Sequence, residues 1–261
     1  MISRFVIYPY KVTSESAHRL KDALKEAGKT AIIVYPDRNY QCKEGDLIIG
    51  WGASKEPKWK SSLGKAGEAL NLWDKVENSI DKKKAFSWFS NMHVSIPKYT
   101  DQEQEAYSWL CNGEIVVGRK QLRGMKGNGI IIMKNKSAFV SCKLYTKFIP
   151  NTVEYRVYVF GDEVIDVIQK RRQQGTNDPG FVRSEENGWV FCRNNVHMPL
   201  LCKNHAIKAV KALGLYFAGV DILWSTTEFK PYVLETNTCP DIFGTGLKIF
   251  RDAFIGLAEE L

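Results

Sequence analysis

The sequence predicts a mixed α/β (α+β) protein, with a parallel α/β part first and an antiparallel sheet towards the end. Near the amino terminus, short β-forming runs alternate with an amphipathic helix, as in parallel α/β units. The second half of the chain contains a hairpin pattern and further apolar strands. The length of 261 residues suffices for one to two domains, at roughly 150 residues each, with a buried core.

The amino-terminal elements follow the strand–helix–strand pattern. They are strands over residues 3–8, 30–35 and 46–50, and a helix over 13–27 that Gly28 ends. Gly50-Trp51-Gly52 ends the third strand. Since ligands bind beyond the carboxyl ends of such strands, Trp51 is a candidate cleft wall, with a tight turn around a packed Trp as the alternative.

The later elements are predicted from periodicity and turn residues. They are a polar loop over 55–67, helices over 73–92 and 101–111, strands over 114–119, 129–133 and 138–148, a hairpin of strands 154–160 and 164–169, a helix over 199–213, strands over 217–223 and 231–236, and a helix over 247–261. We find no internal repeat and no low-complexity tract.

Composition excludes several protein classes. With 44% hydrophobic and 25% charged residues, the chain is not a disordered protein, a collagen or a coiled coil. No apolar run reaches the about 18 residues of a membrane span, and the first residues do not resemble a signal peptide. The six cysteines are widely spaced without a Cys-x-x-Cys pair, which favours a reduced, cytoplasmic location.

Positive charge is concentrated between Ile115 and Val153. This segment has eight basic and no acidic residues, and that excess equals the net charge of +8 of the whole chain. Such a segment repels itself unless an anion is nearby, and phosphate is the obvious candidate. A solvated basic face and a nucleic-acid surface are the alternatives. The basic residues are Arg119, Lys120, Arg123, Lys126, Lys134, Lys136, Lys143 and Lys147.

Three oxygen-bearing side chains near the carboxyl end form a candidate metal site. Glu235 and Asn237 are two residues apart in a predicted strand and therefore share a face. Asp221 lies in the middle of the preceding apolar strand, where a carboxylate needs a partner. Two carboxylates and an amide oxygen suit Mg²⁺. Alternatively, Asp221 caps a turn and Glu235 pairs with an Arg.

Two further features suit phosphate binding. The loop from Arg123 to Gly129 has three glycines in six residues, which lets backbone N–H groups approach an anion, although a hairpin turn looks similar. Arg156, on one strand of the hairpin, and one or more of Lys170 to Arg172 on the other suit a phosphate. A polar strand with a basic edge is the alternative.

In their order and spacing, these motifs resemble the ATP-grasp superfamily of carboxylate–amine ligases. The resemblance covers about residues 70 to 261. It is greatest to ligases that add glutamate to a ribosomal protein and to small ATP-grasp proteins of phages and bacteria. The motifs are Asp81-Lys82, Ser95-Ile96-Pro97, Val116 to Arg119, the glycine loop, Tyr145 to Ile149, Glu154 to Arg156, Lys170-Arg171, Gly219 to Asp221, and Glu235 to Asn237 with Pro240.

The resemblance implies ATP and Mg²⁺ as cofactors and a role for each residue. The implied metal ligands are Asp221, Glu235 and Asn237. The implied nucleotide contacts are Lys82 and Arg119 at the phosphates, Gly124, Lys126, Gly127 and Gly129 in the closing loop, Lys147, Phe148 and Ile149 at adenine, and Glu154 at the ribose. The implied catalytic residues are Arg156, Lys170 and Arg171.

The resemblance also implies the architecture and the reaction. An amino-terminal Rossmann-like α/β domain (1–72) would precede a small lid subdomain with the glycine loop (73–145) and an antiparallel-sheet domain (146–261) that holds metal and nucleotide. A carboxylate would attack the γ-phosphate to give an acyl phosphate, and an amine would then displace phosphate. The implied partners are carboxylate and amine substrates, such as an amino acid or a peptide. Nucleic acid stays possible as a substrate, and no membrane is expected.

The chain departs from the family pattern in three places. Arg119 stands where Lys is usual, Thr146 where Glu is frequent, and Gly219 where some relatives have Arg. The group that stabilises the oxyanion is therefore open, with Arg171 or Arg172 as candidates. Residues expected in the acceptor pocket are Asn177, Arg183, Arg193 and Asn194.

Two other functions compete with the ligase. One is an ATP-grasp kinase, which would release no free phosphate. The other is a nucleic-acid-binding protein without catalysis. The basic segment argues against it, because no aromatic residues alternate with the basic ones in a pattern suited to stacking on bases. Cys239, beside the metal motif, is expected to be a small packed residue, because nothing near it in the sequence favours a thiolate.

Overall fold

Three β-sheets organise the part of the protein that the structure describes. The computed structural model describes residues 1–123, 128–175, 181, 183 and 185–261. Within these residues, no helix is both long enough and apolar enough to cross a bilayer. The predicted mixed α/β class, parallel first and antiparallel later, is confirmed.

The first sheet is parallel, with strand order β2-β1-β3-β4. Its elements are β1 (Arg4–Pro9), α1 (Glu15–Glu26), β2 (Ala31–Ile33), β3 (Asp46–Trp51) and β4 (Glu68–Leu70). The sequence analysis missed β4, because a three-residue strand has too little periodicity to be recognised. The segment expected to be a loop also contains a 3₁₀ turn at Lys60–Lys65.

Two helices follow where one was predicted over 73–92. They are α2 (Trp73–Ile80) and α3 (Lys82–Asn91). The prediction of one helix is wrong because Asp81 has an extended backbone, with φ −90° and ψ 108°. Its carboxylate caps α3 by accepting hydrogen bonds from the N–H groups of Lys83 and Lys84, both at 3.1 Å.

The second sheet is antiparallel, with strand order β5-β8-β6-β7. Its elements are β5 (Tyr99–Thr100), α4 (Glu103–Cys111), β6 (Val116–Arg119), β7 (Ile130–Met133) and β8 (Leu144–Lys147). The helix α4 covers one face through Ala106, Trp109 and Leu110, which pack with Met133 and Tyr145. The opposite face of β6 therefore carries Arg119.

The third sheet is the largest, with strand order β11-β10-β9-β12-β13, all antiparallel. Its elements are β9 (Thr152–Phe160), β10 (Glu163–Arg172), β11 (Trp189–Cys192), α5 (Leu200–Ala212), β12 (Phe217–Ser225), β13 (Lys230–Asn237) and α6 (Gly244–Glu260). The predicted β9–β10 hairpin is present. The sequence analysis missed β11.

Alternation along β9 explains how the third sheet carries both a core and a polar site. Tyr155, Val157 and Val159 pack into the core that includes α5. Tyr158 and Phe160 face the other side, in a second core with α6 and the parallel sheet. Residues 154 and 156 continue that second face beyond the aromatic core, where polar groups replace it.

Trp51 belongs to the second core, so the cleft-wall interpretation is wrong and the packed-Trp alternative is correct. It is fully buried, stacks on Phe217 at 5.4 Å, and its indole N–H donates to the Ser16 hydroxyl at 2.9 Å. Gly52 follows with a φ of +72°, and a Cβ there would lie 2.6 Å from that of Cys239. The parallel sheet therefore packs closely against the turn after β13.

Candidate functional site

The candidate site lies on the polar end of the third sheet, where β12 pairs with both β9 and β13. Asp221 is opposite Arg156 on one side and opposite Glu235 on the other. The register shifts after Asp221 in the β12–β13 ladder, so β13 has a bulge beside it. Cross-strand partners share a face, and this pairing therefore brings two predicted metal ligands together.

Arg156 holds Asp221 with both arms of its guanidinium. The Nε···Oδ1 and Nη2···Oδ2 distances are 2.7 and 2.9 Å. Burial alone would raise the pKa of Asp221, but the guanidinium more than offsets this, and that pKa stays below its ordinary value. The pKa of Arg156 is raised by the carboxylate against the effect of burial. Both groups are therefore charged at neutral pH.

The other two predicted metal ligands join the same cluster. The Lys82 ammonium, on the first residue of α3, lies 2.9 Å from Glu235 Oε2. The Asn237 amide lies 3.4 Å from Asp221 Oδ2. In the described part of the chain, no three His, Cys, Asp or Glu side chains are arranged to hold a metal ion. The set of two carboxylates and one amide oxygen nevertheless has the donor chemistry of Mg²⁺.

Arg119 is a half-buried cation with an unused donor. Its Nε is buried and makes no hydrogen bond with the described residues. Burial lowers the pKa of Arg119, and the Glu235 carboxylate opposes that shift. A buried guanidinium donor without an acceptor is costly, and a phosphate oxygen is a suitable acceptor. Arg119 therefore fits the phosphate-binding role that the sequence predicts.

Glu154 lies two residues before Arg156 on the same face of β9 and forms a separate ion pair. Lys170 donates to its Oε1 at 2.7 Å, and Arg183 Nη1 is 3.6 Å from its Oε2. Burial raises the pKa of Glu154, and the Lys170 ammonium opposes the shift. Arg183 also donates to the carbonyl oxygen of Thr152 at 2.8 Å and stacks over Trp189 at 4.9 Å. The predicted acceptor residue Arg183 thus lies at the predicted ribose site.

The predicted adenine segment lies at the end of β8. Ile149 is buried, and the Phe148 ring meets that of Phe181 edge-on at 4.9 Å. The Lys147 ammonium turns away to Glu114, at 2.6 Å. The backbone N–H groups of Lys147 and Phe148 donate to the carbonyl oxygens of Lys98 and Ile115, both at 2.9 Å. The adenine contact of this segment stays a prediction.

The structure separates Arg171 from the predicted catalytic residues. Neighbours along β10 point to opposite faces, so Arg171 leaves the side that carries Lys170. Its guanidinium donates to Gln169 Oε1 at 2.8 and 3.0 Å and to the carbonyl oxygen of Asn195 at 2.6 Å. Placing Arg171 beside Lys170 in the cluster is therefore wrong, because strand alternation forbids it.

The remaining predicted residues take other positions. Arg193 pairs with Asp166, with Nη2 at 2.8 Å from Oδ2, and Asn194 is exposed. Gly129 has a φ of +77° in the turn that enters β7. Gly124, Lys126, Gly127 and Asn177 lie outside the described residues.

Cys239 is the packed residue that the sequence predicts. Its Sγ lies 3.5 Å from the Ser16 hydroxyl and 3.9 Å from that of Ser14. Burial raises the pKa of the Cys239 thiol. A thiol with a raised pKa is a poor nucleophile at neutral pH, so Cys239 is not suited to catalysis.

Sequence reasoning missed one residue of the cluster altogether. The Phe191 ring on β11 lies over the Arg156 guanidinium at 4.6 Å and near the Lys170 ammonium at 5.1 Å. Nothing local in the sequence marks this position, because only the pairing of β11 with β10 brings the ring there.

Known proteins resemble this chain in sequence and in fold. The RimK-like ATP-grasp domain matches residues 101–261. A probable alpha-L-glutamate ligase 1 from Shewanella sp. (strain W3-18-1) is 32% identical over 195 residues, which are 67% of this chain and 62% of the relative. This chain therefore spans less than two thirds of that relative's length. A probable alpha-L-glutamate ligase from Haemophilus influenzae is 26% identical over 193 residues, 69% of this chain and 61% of the relative.

Solved structures share the fold at low sequence identity. The ATP-grasp ligase PsnB, complexed with a minimal precursor, Mg and ADP, superposes with a TM-score of 0.68 at 14% identity over 98% of this chain and 97% of the other. The D-alanine–D-alanine ligase from Bacillus anthracis, complexed with ATP, has a TM-score of 0.68 at 15% identity, over 100% of this chain and 99% of the other. The fold is thus that of ATP-grasp ligases. Because the matched domain covers more than half of the chain, this protein belongs to the RimK-like ATP-grasp domain family.

Proposed function

We propose that this protein is an ATP-dependent ligase that joins a carboxylate to an amine and releases ADP and phosphate. The observation that carries the proposal is Arg119, a half-buried side chain whose Nε donor is buried and unused and which has no carboxylate in hydrogen-bond contact among the described residues. A phosphate oxygen would satisfy this donor. Lys82, whose side chain is 10% exposed, supplies a second cation near the same carboxylate, Glu235.

Asp221, Glu235 and Asn237 are proposed to hold Mg²⁺. The Asn237 side-chain nitrogen already donates to Asp221 Oδ2 at 3.4 Å, and Glu235 is the cross-strand partner of Asp221. Asp221 is paired with Arg156, and Glu235 with Lys82. Bound Mg²⁺ would neutralise phosphate charge. The two cations would then be released from these carboxylates and be available to the phosphates.

Arg156 and Lys170 are proposed to face the transferred group. A substrate carboxylate oxygen attacks the γ-phosphorus, the bond to the ADP oxygen breaks, and an acyl phosphate forms. The amine then attacks the acyl carbon, loses a proton, and the C–O bond to phosphate breaks. The guanidinium and the ammonium stabilise negative charge in both steps, so no protein nucleophile is required.

The substrates are proposed to be amino acids or peptides. Relatives described as glutamate ligases, and a ligase solved with a precursor, support this class. We place the reaction in the cytoplasm, in agreement with the six free cysteines. We also propose domain boundaries at 1–72, 73–145 and 146–261. The first sheet ends with β4, before residue 72, in agreement with the first boundary. Strand β8 (Leu144–Lys147) of the second sheet extends across the second boundary, so the sheet grouping does not support a division at 145.

Release of ADP and of phosphate from Mg-ATP tests the proposal. The protein is incubated with pooled amino acids and peptides, and the products are identified by mass. We expect ADP and phosphate in equal amounts, with an amide product. Glu235→Gln should abolish turnover, whereas Glu163→Gln, at the exposed first residue of β10 in the same sheet, should not.

Other outcomes would contradict the ligase. ADP without free phosphate would indicate transfer to a hydroxyl group. Equal activity of Glu235→Gln and the native protein would remove Glu235 from the metal site. Failure of Mg-ATP to bind, measured by calorimetry, would refute the nucleotide site as a whole.

A further inference from the structure

Phe191 occupies the edge of the polar cluster. It is a residue of β11, directly opposite Lys170 of β10. Cross-strand partners share a face, so the Phe191 ring stands on the side that carries Glu154 and Arg156. It ends the row of charged side chains that starts at Glu235.

The ring covers two cations at once. Its centroid lies 4.6 Å from the Arg156 guanidinium carbon and 5.1 Å from the Lys170 ammonium. Both distances are within the range of cation–π attraction. Phe191 is 36% exposed, whereas the side chains of Arg156 and Lys170 are 18% and 13% exposed. The ring therefore forms the outer layer of the cluster.

Within the described residues, each cation forms one ion pair, and both carboxylates of these pairs have another task in the proposed reaction. Arg156 is bound to Asp221 and Lys170 to Glu154. If Asp221 holds the metal ion and Glu154 the ribose, both cations lose charge compensation from these carboxylates. Two neighbouring positive charges then repel each other. The aromatic face attracts both and does not depend on either carboxylate.

We propose that Phe191 is a positioning residue that keeps Arg156 and Lys170 directed at the γ-phosphate when Asp221 and Glu154 bind metal and nucleotide. This inference rests on the proposed ligase function. The relevant property is the electron-rich ring face rather than apolar bulk. Leucine would retain apolar contact at this half-exposed edge but has no such face, whereas tyrosine would retain it.

Calorimetric binding of two nucleotides tests this inference. The probes are Mg·AMP-PNP, which has a γ-phosphate, and Mg·ADP, which has none. For Phe191→Leu we expect AMP-PNP to bind about tenfold more weakly, within the range of one or two cation–π contacts. ADP binding should stay within about twofold, because no γ-phosphate contact is lost.

Two matched variants separate the ring from general packing. Phe191→Tyr should bind both nucleotides within about twofold of the native protein, since tyrosine also attracts cations. Phe229→Leu removes an exposed phenylalanine from the turn between β12 and β13 and should leave both affinities unchanged. Thermal melting of each variant confirms that it is folded.

The outcomes are distinct. Equal weakening of AMP-PNP and ADP in Phe191→Leu would refute the inference, as would no weakening at all or an equal loss in Phe191→Tyr. A native protein that binds neither nucleotide would instead refute the proposed function, and the inference would fall with it. Selective loss for AMP-PNP in Phe191→Leu alone supports the positioning role.

Discussion

The Lys82 ammonium lies 2.9 Å from Glu235 Oε2 and so joins the start of α3 to the last strand of the third sheet. Asp81 makes this contact possible, because it ends α2 and caps α3 one residue before the lysine. If residues 73–92 formed one continuous helix, Asp81 would lie inside it and Lys82 would not be the first residue of a helix. The helix break is therefore part of the site.

This contact should be measurable in the nucleotide-free protein. In a double-mutant cycle of Lys82→Met and Glu235→Gln, we expect a coupling free energy of about 1 kcal/mol, modest because Glu235 is 33% exposed. Urea denaturation of the four proteins gives this value. Saturating Mg-ATP should reduce the coupling if Glu235 then holds the metal, and an unchanged coupling would contradict that assignment.

Asp221→Asn should destabilise the nucleotide-free protein strongly. The substitution leaves the Arg156 guanidinium largely buried without its carboxylate, which costs about 3 kcal/mol in comparable buried pairs. Urea denaturation measures the loss. Asp162→Asn, which breaks an exposed pair with Lys211, should cost less than about 1 kcal/mol. Equal effects of the two variants would show that Asp221 and Arg156 are not a buried pair.

Gly50→Ala should disrupt the junction between the first and third sheets. A Cβ at Gly50 would lie 1.9 Å from the Asn71 carbonyl oxygen, and backbone must move to relieve that clash. The Asn71 amide donates to the carbonyl oxygen of Phe217 at 2.7 Å, so the disturbance reaches β12. We expect a loss of at least ~2 kcal/mol in unfolding free energy.

Gly64→Ala is the matched control for that substitution, since a Cβ at Gly64 meets no atom within 4 Å. Its unfolding free energy should change by less than about 0.5 kcal/mol. Similar losses in the two alanine variants would argue against the close approach at Gly50.

His205 should make stability depend on pH. Its Nδ1 accepts a hydrogen bond from the Ser95 N–H at 3.0 Å, so the neutral ring is the bound form. Burial lowers the pKa of His205, with Lys208 and Lys230 adding to the shift. The unfolded chain thus binds a proton first as the pH falls below about 6.5, and stability decreases until the folded-state pKa is passed.

Melting temperatures between pH 7.5 and pH 5 test this dependence. His205→Asn keeps an acceptor without titrating, so it should lose less stability over that range than the native protein. His197→Asn, at an exposed ring, should behave like the native protein. A native-like pH dependence in His205→Asn would assign the titration to another group.

Local signals in the sequence were sufficient for much of the fold. Apolar runs and turn residues predicted the β9–β10 hairpin and the strands of Asp221 and Glu235, because these patterns depend only on neighbours along the chain. Short elements such as β4 and β11 were missed, since three or four residues show little periodicity. The family resemblance supplied the residue roles, which composition and spacing alone left open.

The composition of the site depended on strand pairing. The pairing of β9 with β12 brings Arg156 to Asp221, although they are 65 residues apart in the chain. Because side chains alternate between the two faces along β10, Lys170 lies on the face of the site and Arg171 on the opposite face. The edge strand β11 places Phe191 beside Lys170. A sequence determines which residues share a strand face. Only tertiary structure decides which strands lie side by side, because that choice depends on the packing of distant segments into common cores.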